Sequence, residues 1–127
     1  MRLMGIDYGT KRVGVALSDE GGAMAFPHLV LDNDVKLLDK LEEIINERQV
    51  GAIVIGHSLS RDGQPNPVHS DVEELIGDLT LRVGVPIHLE PEQYSTQAAL
   101  RDQGRTAQTD ASAAAIILNS FIIRRRI

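Results

Sequence analysis

A chain of 127 residues suits one domain around one core, and 43% hydrophobic residues is ordinary for a soluble globular protein. The absence of cysteine excludes disulfides, thiolate metal sites and thiol catalysis, so any metal would be held by oxygen or imidazole. Aromatic residues at 3% demand an aliphatic core and argue against base stacking as a binding mode, while the net charge of −5 argues against non-specific affinity for polyanions and leaves room for a local basic patch.

The first thirty residues read as a meander. Arg2 to Ile6 and Val13 to Leu17 are short apolar runs around a polar turn containing Gly9, which is a hairpin signal and places strands at 2–7 and 12–18. The second run is nearly all apolar, as in a strand covered on both faces. Asp19-Glu20-Gly21-Gly22 is a turn, and a third strand over 24–31 contains Pro27, which favours the edge of a sheet. Val35, Leu38, Leu41, Ile44 and Ile45 then recur at helical spacing and predict a helix over 34–48, with Asn33 and Asp34 as capping candidates.

Strand and helix alternate thereafter. Gly51 to Gly56 is a short buried strand, parallel to the first because a helix precedes it, and it opens into the polar loop from His57 to Pro67. Val68, Val72, Leu75, Ile76 and Leu79 mark a helix over 67–83, and Val85 to Leu89 forms the last strand, delivering Glu90, Pro91 and Glu92. Ser95-Thr96 caps a short helix over 97–103, which Gly104 ends. Thr109 caps the final helix, 110–124, whose apolar face is Ala111, Ala114, Ala115, Leu118, Phe121 and Ile122. The order β-β-β-α-β-α-β-α-α predicts an α/β fold, a mixed five-stranded sheet with helices on both faces.

Three carboxylates stand at element ends in this plan. Asp7 closes the first strand, Glu92 follows the last strand, and Asp110 lies in the first turn of the last helix. If the first and last strands point the same way, Asp7 and Glu92 emerge at one edge of the sheet, and Asp110 reaches it if the final helix packs there. Clustered carboxylates repel one another, and a hard divalent cation such as Mg2+ or Mn2+ relieves that conflict. The same residues also have plainer readings: Asp7 as a turn acceptor, Glu92 as a solvated charge, Asp110 as a favourable charge at a helix N-terminus.

Around this trio, Thr10, Lys11 and Arg12 are candidate contacts for a phosphate or else a solvated hairpin tip, and Ser58 and Arg61 in the polar loop are candidate substrate contacts. No G-x-S-x-G elbow surrounds Ser58 or Ser60, so a serine hydrolase is not expected. His28, His69 and His88 are scattered and receive no role. Arg124-Arg125-Arg126 reads as a solvated tail in preference to a basic footprint shared with Arg101 and Arg105. The first apolar run is broken by Asp7 and Lys11, and no apolar stretch approaches the roughly 18 residues of a membrane span, so neither a signal peptide nor a membrane partner is expected and the chain is read as cytoplasmic.

Gly5 to Asp19, reading GIDYGTKRVGVALSD, closely resembles the opening motif of the YqgF/RuvX family, whose members are described as Holliday junction resolvases and as pre-16S rRNA nucleases. Ile53 to Gly56 followed by Asp62-Gly63 resembles the second motif of that family. Leu89 to Ala98 occupies the place of its D-E-R-[LF]-[TS]-[TS] motif, and Asp110 to Leu118 resembles its closing D-x-x-A-A-x-x-[IL]-L motif. The resemblance implies an RNase H-like fold over residues 1–127. It also implies a metal-dependent nuclease of two-metal type with Asp7, Glu92 and Asp110 as acidic ligands, and Lys11 and Arg12 beside the phosphate backbone. The chain departs from the pattern at Pro91-Glu92-Gln93, where the family has Asp-Glu-Arg, at Tyr94, at Ser58, and in 104–109, which lacks the lysines of many members. The ligand set is intact and the substrate contacts differ.

The implied substrate is structured nucleic acid, foremost a ribosomal RNA precursor, with branched DNA as the alternative, and the implied assembly is a monomer or a homodimer. Two further readings belong to other classes. Asp7-Tyr8-Gly9-Thr10 also resembles the first phosphate loop of actin-like ATPases, although those need two such domains around the nucleotide. A nucleic-acid-binding module that has lost catalysis would explain the altered surroundings of Glu92.

Overall fold

The computed structural model describes residues 1–9, 11–57, 69–91 and 107–126. Its elements are β1 (Arg2–Tyr8), β2 (Arg12–Ser18), β3 (Ala25–Asp32), α1 (Leu37–Glu47), β4 (Val50–His57), α2 (His69–Val83), β5 (Ile87–Pro91) and α3 (Ala107–Arg126). The strands form one sheet in the order β3-β2-β1-β4-β5. The meander pairs antiparallel, whereas β4 is parallel to both β1 and β5. The expected mixed sheet is therefore present, with its most continuous apolar runs at the centre. Pro27 sits on the edge strand, where its missing N–H costs no ladder bond. Beside it Val15 pairs with Leu29 and Ala16 with Pro27, so His28 is the extra residue of a bulge.

Side chains alternate across the sheet, and each face has its own cover. Met4, Ile6, Val13, Val15, Ile53 and Ile55 pack against Leu41, Ile45, Val72 and Leu79 of α1 and α2. Leu3, Ala16, Ala52 and Val54 pack against Ala114, Leu118 and Phe121 of α3. On this second face the contact is close because the sheet presents glycine. A Cβ on Gly5 would lie 2.8 Å from the Ala114 carbonyl oxygen and 2.9 Å from the Leu118 Cβ, and a Cβ on Gly56 would meet the Ile117 side chain. Helix α3 therefore sits almost on the backbone of β1.

Several boundaries differ from those expected from the sequence. Helix α1 begins at Leu37, not 34, because Asp34 ties the chain into a turn first: its Oδ1 accepts the Lys36 N–H at 2.9 Å and its carbonyl accepts the Leu37 N–H at 3.1 Å. Val35 thereby falls outside the helical period and is 96% exposed, while Leu37 takes a core position. Helix α2 is described over His69–Val83, its expected first residues at 67–68 lying outside the described residues, and β5 runs Ile87–Pro91, two residues later than expected. Helix α3 begins at Ala107, so Thr109 lies within it and is not its cap. The helix expected over 97–103, with Val68, lies outside the described residues. All six residues assigned to the apolar face of the final helix are buried.

Candidate active site at the C-terminal edge of the sheet

Asp7 is the second-last residue of β1, the central strand, and is 4% exposed. Its register partners are Gly14 on β2 and Gly56 on β4, so the two same-face neighbours of its carboxylate carry no side chain. A carboxylate buried this deeply needs hydrogen bonds or cations around it, since an isolated buried charge costs several kcal/mol, roughly. β1 and β5 both run parallel to β4 and hence point the same way, the condition for Asp7 and Glu92 to share an edge. Their ends, Asp7-Tyr8 and Glu90-Pro91, lie at one edge of the sheet.

Helix α3 starts toward the same edge. Ala114 and Leu118 lie over Gly5, and Ile122 lines a cavity of about 330 Å³ with Leu3 and Met1, so the helix runs antiparallel to β1 with its start toward Asp7. Asp110 is one turn before Ala114, a rise of roughly 6 Å, which matches the roughly 7 Å along β1 from Gly5 to Asp7. Asp110 is placed by its backbone alone, in the first turn of α3. Glu92, Ser58, Arg61 and Thr10 lie outside the described residues. Among the described residues no group of three or more metal-ligating side chains comes together. The one carboxylate of the trio that is fully described is a hard oxygen donor between two glycines, a setting that fits Mg2+ or Mn2+.

The hairpin tip beside Asp7 is braced. The Asn33 side-chain N–H donates to the Gly9 carbonyl at 2.8 Å, and its backbone N–H donates to the Lys11 carbonyl at 2.9 Å. Gly9 itself is obligatory, because a Cβ there would lie 2.5 Å from the Arg12 carbonyl oxygen. Lys11 is exposed and Arg12 half-buried, both within one turn of the Asp7 strand end. Helical periodicity makes Asn33 a cap of α1. Its observed role is to hold the loop of the candidate phosphate contacts, and only the early turn at Asp34 hints at it.

A second buried carboxylate has no signal in the sequence. Glu90 is 1% exposed, and the Arg124 guanidinium of α3 donates to its Oε2. The solvated-tail reading is thus incomplete for Arg124, whose side chain stays exposed along much of its length but whose guanidinium reaches the strand end. Arg125 also leaves solvent in part, lying over the Phe121 ring at 5.5 Å, and His88 packs its ring on Phe121 at 5.0 Å. Glu90, Gly56 and Asp7 occupy one row across three strands. Local pattern cannot reveal the pair, since its partners are 34 residues apart.

The same sheet is found in solved resolvases. Thermus thermophilus RuvC in complex with a Holliday junction superposes with a TM-score of 0.66 at 17% identity, over 99% of this chain and 96% of that one. The Fowlpox virus resolvase in complex with junction DNA gives 0.60 at 10%, over 98% and 99%. The fold is RNase H-like, and the chain's family and its named relatives make the class a nuclease, a hydrolase of phosphodiester bonds. Residues 1–124 match the family described as RuvX: Holliday junction resolvase. A relative from Maridesulfovibrio salexigens, named as a candidate pre-16S rRNA nuclease, is 38% identical over 134 residues, covering 98% of this chain and 99% of its own. A like-named relative from Nitratidesulfovibrio vulgaris is 36% identical over 132 residues, covering 96% and 93%. The chain belongs to the RuvX (YqgF) family. Among the described residues no helix is long and apolar enough to cross a membrane.

Proposed function

We propose that this chain is a cytoplasmic, divalent-metal-dependent nuclease that processes the 5′ end of pre-16S rRNA, with residues 1–127 as one RNase H-like domain. Asp7, Glu92 and Asp110 are the carboxylates that hold Mg2+ or Mn2+. When bound, the cation supplies water activation and stabilisation of the leaving oxygen in phosphodiester hydrolysis. The rest falls to the chain's own groups. Lys11 and Arg12 draw the phosphate backbone to the hairpin tip that Asn33 braces, with Thr10, Ser58 and Arg61 as further substrate contacts. The observation that carries this reading is the 4% exposure of Asp7 at the end of the central strand, with the start of α3 directed at the same edge.

The test is cleavage of a precursor rRNA fragment and a four-way DNA junction side by side, with Mg2+, with Mn2+ and with chelator. Cutting of the RNA that needs metal and disappears in Asp7→Asn is the expected result. Cutting of the junction alone would assign the chain to branched DNA, the substrate bound by T. thermophilus RuvC in its complex, and would require a homodimer for paired incisions. No cutting of either by the folded protein would leave a nucleic-acid-binding module.

A further inference from the structure

Strand β5 inverts the usual pattern of an edge strand. Its apolar Leu89 is 41% exposed, whereas the neighbouring Glu90 is 1% exposed. A leucine at position 90 would meet Ile117 of α3 across Gly56 with no charge to desolvate. Glu90 is buried while the Arg124 side chain is 57% exposed, and desolvating a carboxylate for a half-solvated partner seldom stabilises a fold more than an apolar residue of the same size would, so stability alone does not account for a carboxylate here. What an ion pair provides is a fixed register, because a charged partner displaced by a few ångströms is lost, while an apolar contact slides.

The place of the pair gives that register a use. Helix α3 lies mainly across β1, β2 and β3. Among the described residues its contacts with β5 include the Phe121–His88 rings and the Arg124–Glu90 pair. Of these, the ion pair is the one at the strand end, two residues before Glu92. Glu90 is in row with Asp7, separated by Gly56 alone, so the pair lies roughly 10 Å from the Asp7 backbone across two strand spacings.

We propose that the Glu90–Arg124 pair, a buried carboxylate held by a guanidinium that stays half in solvent, is a positioning clamp for the active site, fixing the end of β5, from which the chain continues to Glu92, against the helix that carries Asp110. The inference rests on the nuclease reading. Glu90 and Arg124 act through Glu92 and touch neither substrate nor metal. Residues that orient ligands in this way typically alter metal affinity by about 10- to 100-fold when removed.

The test compares Mn2+ affinity, measured by electron paramagnetic resonance on the free protein, with thermal melting in chelator. The double variant Glu90→Leu/Arg124→Leu is expected to melt at or above the wild-type temperature and to bind Mn2+ about tenfold more weakly. Arg124→Lys, which keeps the charge, is expected to bind within about twofold of wild type. Unchanged Mn2+ affinity in the folded double variant overturns the clamp and makes the pair merely structural. Should the double variant fail to fold, Glu90→Gln takes its place, and unchanged affinity there overturns the clamp equally. The nuclease reading fails separately: Mn2+ binding that is absent in wild type, or undiminished in Asp7→Asn, removes the metal site itself and the clamp with it.

Discussion

The two faces of the sheet are built from different materials. The face under α1 and α2 is filled with branched aliphatic side chains, Ile6, Val15, Ile53, Ile55, Leu41 and Leu79 among them. On the face under α3 the sheet is mostly small, with Gly5, Ala16, Ala52 and Gly56 beside Leu3 and Val54, and it meets Ala114 and Ala115 together with the larger Ile117, Leu118 and Phe121. Among the described residues the buried polar ones, Asp7, Ser18 and Glu90, all have the parity of this second face. Large side chains remove the most surface from water, at about 1.5–3 kcal/mol each, and tolerate modest repacking. Small ones contribute less burial but let a helix approach until backbone meets backbone, where its position admits little error. The first face contributes the larger share of that burial. The second sets where α3, and so Asp110, lies relative to Asp7.

The largest expected effect is on the chemistry of the second face. Asp7→Asn should lower metal-dependent cleavage on the order of a thousandfold while the protein melts no lower than wild type, since a buried charge has been removed. A variant that loses its fold along with its activity would mean that Asp7 is structural, and cleavage assays paired with melting curves separate the two outcomes.

The same Gly→Ala change separates a close-packed position from an open one. Gly5→Ala places a methyl against the Ala114 carbonyl and the root of Leu118, neither of which can swing aside, and should cost about 2 kcal/mol and much of the activity. Gly77→Ala on α2 meets nothing within 4 Å and should stabilise by about 0.5–1 kcal/mol through helix propensity. Chemical denaturation of the two variants reads the opposite signs, and a neutral or stabilising Gly5→Ala would contradict the backbone-to-backbone approach of α3.

Asn33→Ala tests whether the hairpin tip needs its brace. Loss of the bond to the Gly9 carbonyl should cost about 1 kcal/mol, and KM should rise more than kcat falls, because the loop positions substrate. The smallest effect is on the edge strand. Partial burial, then the nearby Arg48 charge, holds His28 below its ordinary value of 6.5. The unfolded chain therefore binds the proton more readily, and the contribution of neutral His28 is present above pH 6.5 and fades as the pH falls below it. Between roughly pH 7.5 and 5.5, a window spanning that value, melting temperatures should fall slightly less in His28→Gln than in wild type.

What can be read from the chain alone follows the same division. The strands under α1 and α2 are legible because burial on both faces writes continuous apolar runs, and Pro27 announces an edge. The period of α1 extends three residues too far at its start because Val35 happens to fall in phase, while the Asp34 turn that stops the helix depends on hydrogen bonds no period records. Asp7 stands out as a charge at the end of an apolar strand. Glu90 does not, since it reads as the polar end of a short strand until Arg124, on a different element, is placed over it. Asn33 looks like part of the helix that follows it, when its partners are in the hairpin that precedes it. In each miss the deciding contact joins elements that are distant in sequence or bonds that leave no periodic trace.

The central claim is that the close-packed face brings Asp7, Glu92 and Asp110 to one cation at the C-terminal edge of the sheet. The most direct measurement is a crystal structure of the protein grown with Mn2+, with the anomalous signal used to locate the metal. The account predicts a peak within coordination distance of Asp7, with carboxylate oxygens of Glu92 and Asp110 completing the set. A peak held by other residues, or Asp7 without metal at saturating Mn2+, would contradict it.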